Sequence, residues 1–395
     1  MSLRMLRQDW SVSAVTAGFI AVLVSYAGPL LILFQAAQVG MVPPDIVASW
    51  VWAISIGAAV SGIALSAWFK VPVITAWSAP GSALLVTLLP DMPLSEVVGA
   101  YLTAAVLIGV IGLSGLFDRL MQLIPRGVAY GMMAGILFQF GLRAFKSMEA
   151  LPLLTGCMLV GYLVFKRRWP RYHMVWVLGL ALLLAVLQPH PSWPALSLRP
   201  TVPTLTWPVW TWSATFSLAL PLVLVSLSGQ FMPGMAILQA AGYRVAARPL
   251  IAVTSAVSIV TALFGGITTV LAAITAALCT GRDAHEDPGR RYVAGLSNGL
   301  FYLIGGTFGG LIVWLFAVLP GPFVAVLAGL ALTGAITSNV LGAVTDEAHR
   351  EPAILTFLAT ASGVSFLGLG SAFWGVLVGA LACAIQARRP RASVA

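Results

Sequence analysis

Ser78, Ala79, Pro80, Gly81 and Ser82 form a small polar knot between two apolar runs. Upstream lies the β-branched stretch Val71 to Thr75, followed by Ala76 and Trp77; downstream an apolar run reaches Leu89. Only about eight residues after Gly81 read as helix, ~12 Å at 1.5 Å per residue, which cannot cross ~30 Å of hydrocarbon. The pattern predicts an extended lead-in followed by a half-length membrane helix, with Pro80 in its first turn and Ser78 or Ala79 as its cap. The free N–H groups and positive dipole end of such a helix, held near mid-membrane, are a ready site for an anion. A second copy follows: Thr269 to Leu278 can be laid on Thr75 to Leu84, with Gly265 and Gly266 before it and Gly281 after it. Paired, interrupted segments in two halves of a membrane chain point to a transporter's binding site. Two ordinary buried helices with small-residue packing faces are the alternative.

The elements that must position these residues are membrane spans. The chain has 395 residues, 59% hydrophobic and 8% charged, with a mean hydropathy of +0.97, which is the composition of a polytopic membrane protein. Its net charge of +9 does not read as nucleic-acid binding, because the basic residues lie between apolar spans, where orientation signals belong. Cys157, Cys279 and Cys383 all fall in apolar segments, so no disulfide framework is expected. Arg4 and Arg7 precede a first span that reads as retained, with no small-residue cleavage site after it.

The hydropathy pattern predicts an all-α protein of fourteen segments. The spans lie near 13–37, 46–68, 71–89, 94–117, 126–145, 151–165 and 173–188, with an amphipathic connector from Asp118 to Pro125. After a Pro- and Trp-rich loop, 189–212, come spans near 213–241 and 249–264, a broken span ending near Thr280, and spans near 292–317, 322–344, 352–367 and 370–387. Gly28-Pro29 predicts a kink in the first span. The last two are short and hinged at Gly368 to Ser371, so neither need cross squarely. With both termini cytoplasmic, 18 of the 21 Lys and Arg fall inside, leaving Arg143, Lys146 and Arg199 outside. Seven spans per half is odd, so the halves must be inverted. Val24 to Gly28 also resembles Val225 to Gly229, pairing the first and eighth spans.

Thr75 to Ser82, Leu271 to Gly281, and the following Ala284-His285-Glu286-Asp287-Pro288 and Arg291-Tyr292 resemble the BenE-type benzoate/proton symporters. The resemblance extends over the chain in length and span order. It implies import of an aromatic carboxylate with protons at a cell inner membrane. It also implies a fold similar to nucleobase and sulfate-type carriers: a core domain (13–117 and 213–317) moving against a gate domain (118–188 and 318–387), joined by the extracytoplasmic linker 189–212. The nucleobase carriers hold carboxylates in spans 8 and 10, whereas here Gln230 stands where one would be sought. An anionic substrate explains the difference, since a fixed carboxylate would repel it.

On this reading, backbone N–H groups near Ala79 to Ser82 and near Ala272, Ala273 and Thr275 receive the carboxylate. Ser78, Ser82 and Thr275 add hydroxyls and Gln230 an amide, while Tyr26, Trp77 and Phe231 flank a ring. Interhelical packing and hydrogen bonding is the other reading of each. Asp346 and Glu347 are candidates for a proton relay, against a solvated helix end. The loop Arg282 to Asp287 lacks metal-ligand spacing and reads as solvated and ion-paired. No nucleophile–base pair, Walker motif or cofactor fingerprint occurs, so neither an enzyme nor an ATP-driven pump is expected, and no cofactor. Expected partners are the aromatic acid, protons and lipid, with a homodimer as an option and nucleic acid excluded. A carrier of another anion or a nucleobase is the nearest alternative. A channel or structural protein is the distant one, and the polar stripe a channel needs is missing.

Overall fold

Apolar residues cover these helices on all sides, as lipid-embedded helices require, so packing is decided by small residues instead of an amphipathic stripe. The computed structural model describes residues 8–117, 119, 126–170, 172–187, 199–345, 347–367 and 369–387. The expected connector 118–125 (Arg119 apart), Arg4, Arg7, residues 189–198, Gly368 and Asp346 lie outside these.

Helix α1 (Val12–Ala27) breaks at Gly28 and resumes as α2 (Pro29–Val39), the kink expected of Gly-Pro. Helix α3 (Pro44–Phe69) ends at Lys70 in the left-handed region, φ 52°, which turns the chain back into the membrane. Strand β1 (Thr75–Trp77) and helix α4 (Ala79–Leu88) follow, then α5 (Leu94–Ser114). Helices α6 (Arg126–Ser147), α7 (Pro152–Arg168) and α8 (His173–Val186) complete the first half. The second half has α9 (Trp212–Ala240), α10 (Ala247–Ala262), β2 (Thr269–Leu271) and α11 (Ile274–Thr280). It ends with α12 (Tyr292–Thr307), α13 (Gly309–Ala317), α14 (Gly321–Thr345), α15 (Arg350–Ala361) and α16 (Ser371–Ala387).

Among the described residues, six spans are long and apolar enough to cross a membrane: α1 with α2, α3, α5, α6, α9 and α14. The expected continuous span near 292–317 is instead bent by 69° between α12 and α13. The cause is distant in sequence. Thr201 inserts into the break, its N–H donating to Thr307 O (2.8 Å) and its Oγ1 accepting from Gly310 N–H (3.0 Å). The expected plain helix near 213–241 contains two π turns, Thr215–Ala219 and Leu227–Phe231.

Packing sorts the helices into two sets. Helix α12 packs on α3 and α1, and α10 on α5; α6 packs on α14 and α15, and α15 on α16. The contacts are backbone-close: a Cβ on Gly18 of α1 would lie 2.6 Å from Ala294 O of α12. Residues 199–211 run as a strap over the first set. Thr204 N–H donates to Ser49 Oγ (2.9 Å), Thr206 N–H to Leu263 O (2.8 Å) and Val209 N–H to Ser95 O (2.9 Å).

Candidate functional site

Both interrupted spans are part extended and part helical, and their extended parts pair. Strands β1 and β2 run antiparallel with Thr75 opposite Leu271, Ala76 opposite Val270 and Trp77 opposite Thr269. Thr75 Oγ1 anchors β1 to α3 by donating to Ala58 O (2.7 Å). One further hydrogen bond extends the ladder at each end: Ser78 N–H to Thr268 O (3.0 Å) and Ala272 N–H to Ile74 O (2.9 Å). These two bonds are equivalent under the internal repeat, so Ala272 is the structural counterpart of Ser78. Helices α4 and α11 leave the pair in opposite directions. Both positive ends therefore lie beside it, separated by about three strand residues, ~10 Å.

The two helix ends differ in how their N–H groups are satisfied. In α4, Ser78 Oγ accepts from Gly81 N–H (3.1 Å), and Ser82 donates to Ser78 O through both its N–H (2.8 Å) and its Oγ (3.1 Å). Pro80 has no N–H, which leaves Ala79 N–H as the open donor of that turn among the described residues. The Ser82 hydroxyl is thus engaged within the helix. In α11, Ala272 stands where Ser78 stands in α4 and offers no cap, and Ala273 gives none either. Among the described residues, no acceptor meets the N–H groups of Ala273, Thr275 or Ala276. Ala272 N–H itself is taken by the ladder, which removes it from the expected donors. Thr275 is 5% exposed.

Helix α9 packs against β2 and α11, and the π turn that carries Gln230 meets β2. A Cβ on Gly234 would lie 2.6 Å from Leu271 Cβ, and Gln230 sits one turn earlier on that face, half-buried within the π turn. Phe231 is fully buried. Tyr26 and Trp77 stack on each other (6.1 Å, 24°) and both meet Tyr302 edge-on, at 5.7 and 6.1 Å. Tyr26 shares a 2.8 Å hydrogen bond with Ser55. Trp77 Nε1 is buried without an acceptor among the described residues. Tyr302 was not among the expected site residues; a phenol standing inside an otherwise apolar span was the signal for it.

Every described Asp and Glu lies at a helix end or in a loop, so no fixed negative charge stands at the strand pair. Glu347 is exposed and paired with Arg350 (3.3 Å), and Asp346 lies outside the described residues. In the loop after α11, Asp287 pairs with Arg290 (3.4 Å) at the surface as expected. Arg291 differs: it is 6% exposed and donates to Thr280 O (2.8 Å), His285 O (2.7 Å) and Glu286 O (3.2 Å). It thus places a cation on the carbonyl end of α11. Nearby, burial raises the Tyr243 phenol above its ordinary range, with Arg291 opposing the shift.

Residues 8–385 match the family described as benzoate membrane transport protein, BenE. The chain belongs to that family. A BenE-family relative, the benzoate membrane transport protein of Acinetobacter baylyi, is 55% identical over 395 residues, 99% of each chain. Inner membrane protein YdcO of Escherichia coli is 40% identical over 363 residues, 92% of this chain and 93% of its own. Among solved structures, SLC26A9 is similar to this BenE chain with a TM-score of 0.66 at 14% identity, over 96% of this chain and 66% of that longer one. That likeness concerns the fold alone.

Proposed function

We propose that this BenE-family protein is a secondary carrier, not an enzyme, that imports benzoate or a similar aromatic carboxylate with protons across the inner membrane. The observation that carries the reading is the turn whose Ala273, Thr275 and Ala276 N–H groups meet no acceptor among the described residues, beside a strand pair with no described acidic side chain near it. A carboxylate in a dry site is costly, and charge-assisted N–H bonds with two positive helix ends offset that cost. The turn at 273–276 binds the carboxylate, with Thr275 and Gln230 as further donors. Ser78 and Ser82 hold α4 rigid, and Ala79, Pro80 and Gly81 aim its positive end. Tyr26, Trp77 and Phe231 form the apolar surround of the ring. Family membership supports the substrate class.

The carrier has fourteen segments in two inverted sets of seven with both termini cytoplasmic, and works by alternating access of the core (13–117, 213–317) against the gate (118–188, 318–387). The two packing sets agree with that division. Asp346 and Glu347 relay the proton. The test is uptake of labelled benzoate into vesicles with and without an imposed pH gradient. Uptake no greater than in vesicles without the protein would end the carrier reading. Uptake indifferent to the gradient, or gradient-driven uptake unchanged when Asp346→Asn and Glu347→Gln are combined, would end the proton reading or the relay respectively.

A further inference from the structure

Helix α9 carries two π turns, and π turns within α-helices are frequent at functional sites. Both meet the proposed gate. At the second turn the contact is apolar and soft: a Cβ on Gly229 would lie 2.9 Å from Met133 Cε of α6. At the first turn it is polar. Ser217, 1% exposed, accepts from Gly370 N–H at 3.0 Å through its Oγ. Gly370 leads directly into α16, so this bond runs from the core to the gate. Two further contacts close the same place. Phe216 meets Phe373 edge-on (5.6 Å, 67°), and a Cβ on Gly370 would lie 3.2 Å from Leu88 Cδ2 on the last turn of α4.

Beside the bond, Leu84, Thr87 and Leu88 of α4 and Gln139 and Thr360 of the gate line a crevice with room for about one water and none for a ring. Gln139 Nε2 donates to Thr360 O (3.2 Å), which ties α6 to α15 at this crevice. The ten residues of α4 span ~15 Å, from the candidate site at Ala79 to the crevice at Leu88. The crevice therefore lies between the candidate site and the membrane surface at which α4 ends and, after the strap, α9 begins. In the proposed orientation that surface is extracytoplasmic. We propose that Ser217 and Gly370 form an outer latch: their hydrogen bond holds the core–gate junction shut over the site, and it parts before substrate enters from outside. Its role in transport rests on the carrier reading and its orientation.

A Cβ on Gly370 would lie 3.7 Å from Ser217 Cβ, inside the range of about 3.5–4.5 Å that a disulfide needs. The test is therefore Ser217→Cys combined with Gly370→Cys in the full chain in membrane vesicles. On oxidation the pair is expected to crosslink and benzoate uptake to fall at least about tenfold, returning on reduction, while the oxidant leaves each single variant at its own reduced rate. Failure to crosslink, or a crosslinked protein that carries benzoate at its reduced rate, overturns the latch and leaves the carrier reading standing. A second arm needs no transport and serves if the double variant does not reach the membrane. In Thr87→Cys, an impermeant thiol reagent added outside labels the crevice. Adding Ser217→Ala is expected to speed that labelling about fivefold, as for one lost neutral hydrogen bond. Unchanged labelling, or labelling from the inside only, overturns the latch. A wild type that carries no benzoate ends the carrier reading, and the labelling arm then still decides whether this junction opens to the outside.

Discussion

Giving α11 the cap that α4 already has is the sharpest test of the anion site. Ala272→Ser places a hydroxyl at the position equivalent to Ser78, whose Oγ holds Gly81 N–H at 3.1 Å. By the same offset the new Oγ would accept from Thr275 N–H. An N-cap of this kind is worth about 0.5–2 kcal/mol. The free protein is therefore expected to gain about 1 kcal/mol in stability. Benzoate must then displace the cap to reach the same N–H, so its affinity is expected to fall about fivefold to tenfold, at 1.4 kcal/mol per tenfold. Ser78→Ala is the mirror experiment. Ser78 is fully buried, so no water replaces its oxygen, and the orphaned Gly81 N–H costs about 1–2 kcal/mol. Its stability should fall while benzoate affinity does not weaken. Thermal unfolding of the purified full chain, with and without benzoate, and titration calorimetry measure both quantities. Wild-type or tighter benzoate binding by Ala272→Ser would refute the assignment of the carboxylate to the α11 turn.

Gln230→Ala is expected to weaken uptake by about 1.5–3 kcal/mol, roughly tenfold or more in KM, as one lost hydrogen bond to a charged group; wild-type uptake removes Gln230 from the site. Arg291→Ala leaves the buried Thr280 carbonyl and the part-buried His285 and Glu286 carbonyls without their cation, so a loss of about 1.5–3 kcal/mol is expected, with Arg291→Lys intermediate; thermal unfolding decides, and a wild-type midpoint would mean solvent reaches those carbonyls. Cysteine at position 200 should be labelled only from outside and cysteine at position 285 only from inside; the reverse pattern sinks the proposed orientation.

What was legible in the sequence was local chemistry. The Ser78–Pro80–Gly81 cap, the break at Gly28-Pro29 and the extended lead-ins all follow from residues within one turn of the feature they cause. The repeat of Thr75 to Leu84 in Thr269 to Leu278 was legible too, but the antiparallel pairing that joins the two extended parts was not. The features that escaped depend on partners far along the chain. Gly309-Gly310 reads as packing surface in an apolar run, and only Thr201, 109 residues from Gly310, turns it into a bend. Arg291 reads as one more charge in a charged loop, yet the loop folds its carbonyls around it. The π turns of α9 carry no residue pattern of their own beyond Ser228-Gly229.

The difference between the two half-helices bears on how the proposed site turns over. Each charge-assisted bond to a carboxylate in a dry site contributes about 1.5–3 kcal/mol. Two uncapped helix ends with Thr275 and Gln230 would offer more such bonds than a carboxylate that must leave can tolerate, since passage requires binding weak enough to release. Ser78 Oγ takes up Gly81 N–H, Ser82 donates to Ser78 O and Pro80 has no N–H, so that end keeps only Ala79 N–H open and contributes mainly its dipole and a fixed shape. The α11 turn keeps its donors open, at a cost in stability that Ala272 in place of serine imposes. Function and stability are therefore in opposition at a single position of the repeat, and substitution there is expected to move them in opposite directions.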